Sequence, residues 1–181
     1  MKKVNACITW IIMLLFYSHL IVMSYSLATG WYDYNICKTL ARATGIVISI
    51  HAILSIIVVL FLHDGVKVGY YAKRNIKTII QRATAIIIMI FVHLHVKAFR
   101  FIVEGIHLST ADKTFILVTE IIFFGANFLH LAVSFSKSLI TMGQLRSDAK
   151  EKLINKIVLV INVMLMFVAT ISLTLFIIKW R

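Results

Sequence analysis

Five long stretches of almost unbroken apolar residues, separated by short polar connectors, dominate the chain. They cover residues 4–28, 40–62, 78–103, 113–137 and 154–178, and each exceeds the ~20 residues a helix needs to cross a bilayer's hydrocarbon. Within lipid every backbone N–H and C=O has to find its partner inside the protein, so each stretch is predicted to be an α-helix. The short alternating segments of a membrane β-barrel do not occur. The predicted fold class is therefore all-α: an integral membrane bundle of five transmembrane helices, forming a single transmembrane domain over residues 1–181. Between the first two spans, the turn-rich aromatic stretch TGWYDYN suits a membrane interface. Lys2 and Lys3 ahead of an apolar run, with Ser26-Leu27-Ala28 behind it, resemble a signal peptide. The run is long for that role and contains His19, so it is read as the first span.

Composition agrees with this pattern. Hydrophobic residues make up 61% of the chain, charged residues 14%, and proline is absent. A soluble domain of this length could not bury so much apolar surface. The net charge of +12 would point to nucleic acid in a soluble protein. Here the cations cluster at span ends, which makes membrane lipid the expected partner and argues against nucleic acid. One side holds 12 of them, including Lys2, Lys3, Lys67 to Lys77, Arg82, Lys137 and Arg146 to Lys156; the other holds 7. By the positive-inside rule the N-terminus is expected in the cytoplasm and the C-terminus outside. Cys7 and Cys37 lie near opposite ends of the first span and are not expected to pair.

Histidine placement is the strongest chemical signal. His63 and His107 stand at span ends, where an imidazole meets water. His19, His51, His93, His95 and His130 stand inside spans, where a polar side chain is costly and is a candidate functional group. Spans one to four each carry such a histidine and span five carries none. Isolated interhelical hydrogen bonds would not be distributed that way. Pairs of axial ligands would, because a haem held inside a bundle takes an imidazole from each of two facing helices. At a rise of about 1.5 Å per residue, His19 and His95 lie ~5 and ~8 Å outward of their span centres. By the same count His130 lies ~8 Å inward and His51 sits near the middle. Two haems are expected, an outer one on His19 and His95 and an inner one on His51 and His130, offset by on the order of 10 Å. That layout would carry electrons across the membrane. His93 is the alternative to His95, pointing to nearly the opposite face of span three. The His95 face carries the small residues Thr84, Ala85 and Ala98, and the His93 face carries Arg82, Lys97 and Arg100, so His95 is the better ligand.

Other groups follow from this expectation. Haem propionates need cationic or hydroxyl partners, and Arg82 and Arg42, each opening an Arg-Ala-Thr ahead of a histidine, are candidates; snorkelling to headgroups serves either arginine equally well. A zinc or non-haem iron site would need histidines and carboxylates converging at one depth, whereas these histidines divide into two layers. Tyr32, Asp33, Tyr34, Glu104 and Asp112 are candidates near the outer layer for binding a quinone or moving its protons. Glu120, inside span four, is expected to be protonated or paired, as a proton relay or as a hydrogen-bonding partner between helices.

These residues together resemble a known family: the di-haem cytochrome b membrane anchor of succinate:quinone oxidoreductases and quinol:fumarate reductases, in its single-chain five-helix form. The likeness runs in order along most of the chain. It consists of YSHLIV around His19, IHA at His51, RNIKTIIQRAT followed by HLHV at His95, and HLAVSFSKSLITMG from His130 to Gly143. The sequence departs from the family's pattern at Ala85, Lys97, Val133, Ser134 and Ser136. The resemblance implies two haem b groups on His19, His51, His95 and His130, and a quinone, menaquinone, as substrate. It implies a flavoprotein subunit bearing FAD and an iron–sulfur subunit docked on the cytoplasmic face, and a bacterial cytoplasmic membrane. Succinate or fumarate chemistry itself would then belong to the flavoprotein. Two alternatives stand beside it: a cytochrome subunit of another quinone-linked oxidoreductase, and a haem-free transporter or assembly protein. The nitrate reductase cytochrome takes ligands from its fifth span, which has no histidine here, and uninterrupted spans without proline argue against a transporter.

Overall fold

A computed structural model describes residues 2–61, 72–145 and 147–179. His63, Asp64, Lys67, Arg146 and Arg181 lie outside the described residues, as do the side chains of Lys73 and Arg74. The expected interfacial role of His63 and most of the basic Lys67–Lys77 segment therefore have no structural account. The described chain is five helices: α1 (Lys2–Thr29), α2 (Tyr34–Phe61), α3 (Ala72–Val103), α4 (Thr110–Thr141) and α5 (Asp148–Lys179). All five are long and apolar enough to cross a membrane. This is a multi-pass membrane protein.

The helices run further than the apolar stretches, mostly at their N-terminal ends. Hydropathy registers only the lipid-facing length, whereas capping chemistry fixes where a helix begins. Asp33 accepts a hydrogen bond from the Ile36 N–H at 3.0 Å and starts α2 six residues ahead of the apolar run. Ser109 and Asp112 form a capping box that starts α4, with the Asp112 N–H donating to Ser109 Oγ at 3.2 Å and the Ser109 N–H to Asp112 Oδ2 at 3.1 Å. Asp148 and Glu151 occupy the first turn of α5, where negative charge meets the positive end of the helix dipole. Gly30, Gly105 and Gly143 follow α1, α3 and α4 with φ of 77°, 64° and 75°, the left-handed conformation that ends a helix.

Helices α1, α4 and α5 pack against one another, while among the described residues the α2 backbone comes close only to that of α1 and the α3 backbone only to that of α4. Apolar residues from the central trio interdigitate: Phe16 and Leu20 of α1, Phe128 and Leu131 of α4 and Ala169 of α5. Phe16 meets Phe128 edge to face at 5.8 Å. Lipid offers apolar side chains no drive to associate, so polar contacts add specificity. The most deeply buried large side chain among the described residues is Asn162 of α5, 1% exposed. Its Oδ1 accepts from Tyr17 Oη at 2.7 Å, and its Nδ2 donates to the Phe128 carbonyl at 3.1 Å, tying three helices together. Towards the membrane the bundle presents stripes of large apolar residues, such as Ile46, Ile50, Ile53, Ile56 and Leu60 on α2. Their spacing of three and four residues marks one helix face, left outward because hydrocarbon solvates it.

Candidate functional site

Histidines from four helices converge in two clusters. In the first, His19 of α1 and His95 of α3 face each other with ring centroids 6.4 Å apart and planes at 81°. The described residues of α1 and α3 make no backbone contact, so these two rings reach across a gap. His95 Nδ1 lies 2.7 Å from Glu120 Oε2 on α4. Phe123, one turn further along α4, stacks on the His95 ring at 4.9 Å, and Phe99 abuts it at 5.8 Å. A cavity of about 60 Å³ borders the cluster, lined by His19, His95, Glu120, Ser24 and otherwise by apolar residues such as Phe16 and Leu173.

In the second cluster, His130 of α4 lies 3.1 Å from both the Gln81 carbonyl and Thr84 Oγ1 on α3. A carbonyl only accepts, so Nδ1 carries a proton. His51 of α2 is near enough to His130 to interact with it electrostatically. The Nδ1 atoms of His19 and His51 are buried and have no hydrogen-bond partner among the described residues. On α4 the clusters are separated by the ten residues from Glu120 to His130, about 15 Å along the axis.

Two facing imidazoles are the donors that a haem iron would take from a protein. Two imidazoles opposite one another on a metal, with bonds of ~2 Å, have ring centroids about 6.3 Å apart. The His19–His95 centroid separation of 6.4 Å is close to that distance. Among the described residues no three His, Cys, Asp or Glu side chains converge as protein-only metal sites require. A porphyrin requires only two protein donors, since its own nitrogens supply the remaining four. Ligating histidines commonly hold their second nitrogen on a carboxylate or carbonyl; here His95 Nδ1 has Glu120 beside it and His130 Nδ1 has the Gln81 carbonyl. The cavity is far smaller than a macrocycle, and among the described residues the backbones of α2 and α3 do not come close.

The remaining candidates scatter. His93 is exposed within the lipid-facing stripe of Ile86, Met89, Ile90 and Val96, and its Nδ1 is satisfied by the Met89 carbonyl of its own helix at 3.2 Å. Arg42 is exposed and Arg82 half-buried. Asp33 and Asp112 are helix caps, and Glu104 pairs with Arg100 at 2.6 Å on the surface. Tyr34 accepts from Lys38 at 2.6 Å. Tyr32 is exposed in the α1–α2 connector, where partial burial holds its phenol above the ordinary value and therefore protonated. Of the acidic candidates only Glu120 touches a histidine cluster. Sequence reasoning did not single out Gln81, Tyr17 or Asn162. An asparagine at the middle of an apolar span was the available signal for the last.

No protein-family model, curated protein or solved structure matches this chain.

Proposed function

We propose that the protein is the di-haem cytochrome b membrane anchor of a succinate dehydrogenase or fumarate reductase complex, passing electrons between membrane quinone and an iron–sulfur subunit. The observation that carries this reading is the His19–His95 pair, whose rings stand at the separation of two ligands on one iron. The second cluster supports it through His130, whose Nδ1 is held by the Gln81 carbonyl, and the neighbouring His51. Haem, when bound, supplies one-electron transfer. The chain's own residues supply the four imidazoles, the hydrogen bonds that aim two of them, and the apolar walls that exclude water.

On this reading the N-terminus lies in the cytoplasm of a bacterial cell and menaquinone is the membrane substrate. The flavoprotein and iron–sulfur subunits dock on the basic end. Lys150, Lys152 and Lys156 are exposed there, whereas Lys77 is already bonded to Glu151 at 2.8 Å. A haem-free bundle is the second reading, favoured by the 2.7 Å His95–Glu120 contact, which satisfies both groups without a metal. One measurement separates them. The purified full-length protein should show the paired visible bands of six-coordinate haem at two haems per chain, and a folded but colourless preparation would overturn the proposal.

A further inference from the structure

Glu120 is 4% exposed and its carboxylate lies 2.7 Å from Nδ1 of His95, in a span where an unpaired acid would be very unfavourable. Among the described residues no lysine or arginine lines the cavity that Glu120 borders, so no permanent cation there accounts for its burial. The cavity's other lining residues are apolar apart from His19, His95 and Ser24. The carboxylate instead meets a ring whose centroid stands 6.4 Å from that of His19. Phe123 stacks on the His95 ring, its centroid 4.9 Å away and the interplanar angle 26°.

We propose that Glu120 is a positioning residue for His95, accepting its Nδ1–H so that Nε2 is directed, with its lone pair, towards the space shared with His19. The inference rests on the proposed haem function and adds to it an asymmetry between the layers. A carboxylate partner makes an imidazole a stronger donor than a neutral one does. His95 has a carboxylate, and His130 has only a carbonyl and a hydroxyl. A more basic ligand favours the oxidised metal, so the outer haem is held at a lower potential than its ligand set alone would give.

The test compares full-length wild type, Glu120→Gln and Glu120→Leu, purified in detergent, by haem content and redox titration. Glu120→Gln keeps a neutral acceptor of the same shape. It should retain two haems, with one midpoint potential moved upward and the other unmoved. Glu120→Leu leaves Nδ1–H without a partner and should weaken one haem by about 10–100-fold, the usual cost of losing such a support. Adding His95→Ala to Glu120→Gln should remove the haem whose potential had moved. If Glu120→Gln moves neither potential, or moves both equally, the assignment fails. A fold that collapses in Glu120→Leu leaves the decision with Glu120→Gln. Wild type without haem overturns the functional proposal and this inference together, whereas two haems indifferent to Glu120→Gln overturn this inference alone.

Discussion

Each of the two histidine clusters brings together two imidazoles, but in different surroundings. Around His95 the chain places a buried carboxylate and two phenylalanine rings; around His130 it places a main-chain carbonyl and a threonine hydroxyl. An ionised carboxylate accepts more strongly than a neutral carbonyl or hydroxyl, so the two histidines meet partners of different chemistry. The inner cluster is held by neutral dipoles and by α3 itself. The contrast teaches that one helix face can serve two sites: Gln81, Thr84, His95 and Ala98 recur along α3 at helical spacing, the first two beside the inner cluster and the last two beside the outer.

The harshest way to break the comparison is to delete a ligand from one cluster at a time. His130→Ala should leave one haem per chain, the outer one, and His95→Ala should leave the inner one. Quantitative haem extraction and the residual redox titration would report which potential survives. Loss of both haems from either variant would mean that the clusters are not independent. Asn162→Leu tests the frame common to both. It strands the Tyr17 hydroxyl and frees the Phe128 carbonyl, and interhelical hydrogen bonds in membranes are each worth ~0.6–1.7 kcal/mol. The expected loss is therefore about 1–2 kcal/mol in denaturant unfolding, with both potentials unchanged; a shift in one potential would show that α5 acts on that cluster directly.

How much of this was readable in the sequence depends on which force decides each feature. Five spans were legible because hydrocarbon imposes a length and an apolarity that few other constraints imitate. Helix starts were not, because Asp33 and the Ser109–Asp112 box act through single hydrogen bonds that hydropathy does not sense. The outward direction of His93 and the inward direction of His95 follow from helical periodicity, which a sequence displays. The partner of Glu120 does not follow from periodicity on its own helix. It depends on the relative depth of α3 and α4, and a shift of two or three residues would put the acid opposite another residue. Asp112 and Glu104 were candidates for quinone chemistry by type and depth, yet local bonding accounts for both. Lys150, Lys152 and Lys156 could be seen as a basic patch, but only the structure shows that Lys77 is bonded to Glu151.

A gentler probe sharpens the inner side of the comparison. Thr84 Oγ1 donates to the Ile80 carbonyl at 2.7 Å and lies 3.1 Å from His130 Nδ1. Thr84→Val keeps the shape and removes the hydroxyl, while the Gln81 carbonyl remains to accept from the imidazole. A neutral hydrogen bond contributes about 1 kcal/mol, so haem affinity of the inner cluster should fall by roughly fivefold, well short of the loss expected for Glu120→Leu. Competition with a haem-scavenging apoprotein would measure it. An effect as large as that at Glu120 would erase the distinction between charged and neutral support.

The smallest effect is expected at His93, and its smallness is informative. His93 is two residues from His95 but turned towards lipid, and its polar atom is satisfied within its own turn by Met89. A substitution that touches neither cluster should change stability by no more than about 0.5 kcal/mol. His93→Ala should therefore keep two haems per chain with both potentials in place, while His95→Ala, on the opposite face of the same turn, loses one. If His93→Ala instead removed a haem, α3 would have to be rotated by about half a turn in the membrane. That rotation would carry His95 away from both His19 and Glu120, so this variant tests the orientation of α3 on which the outer cluster depends.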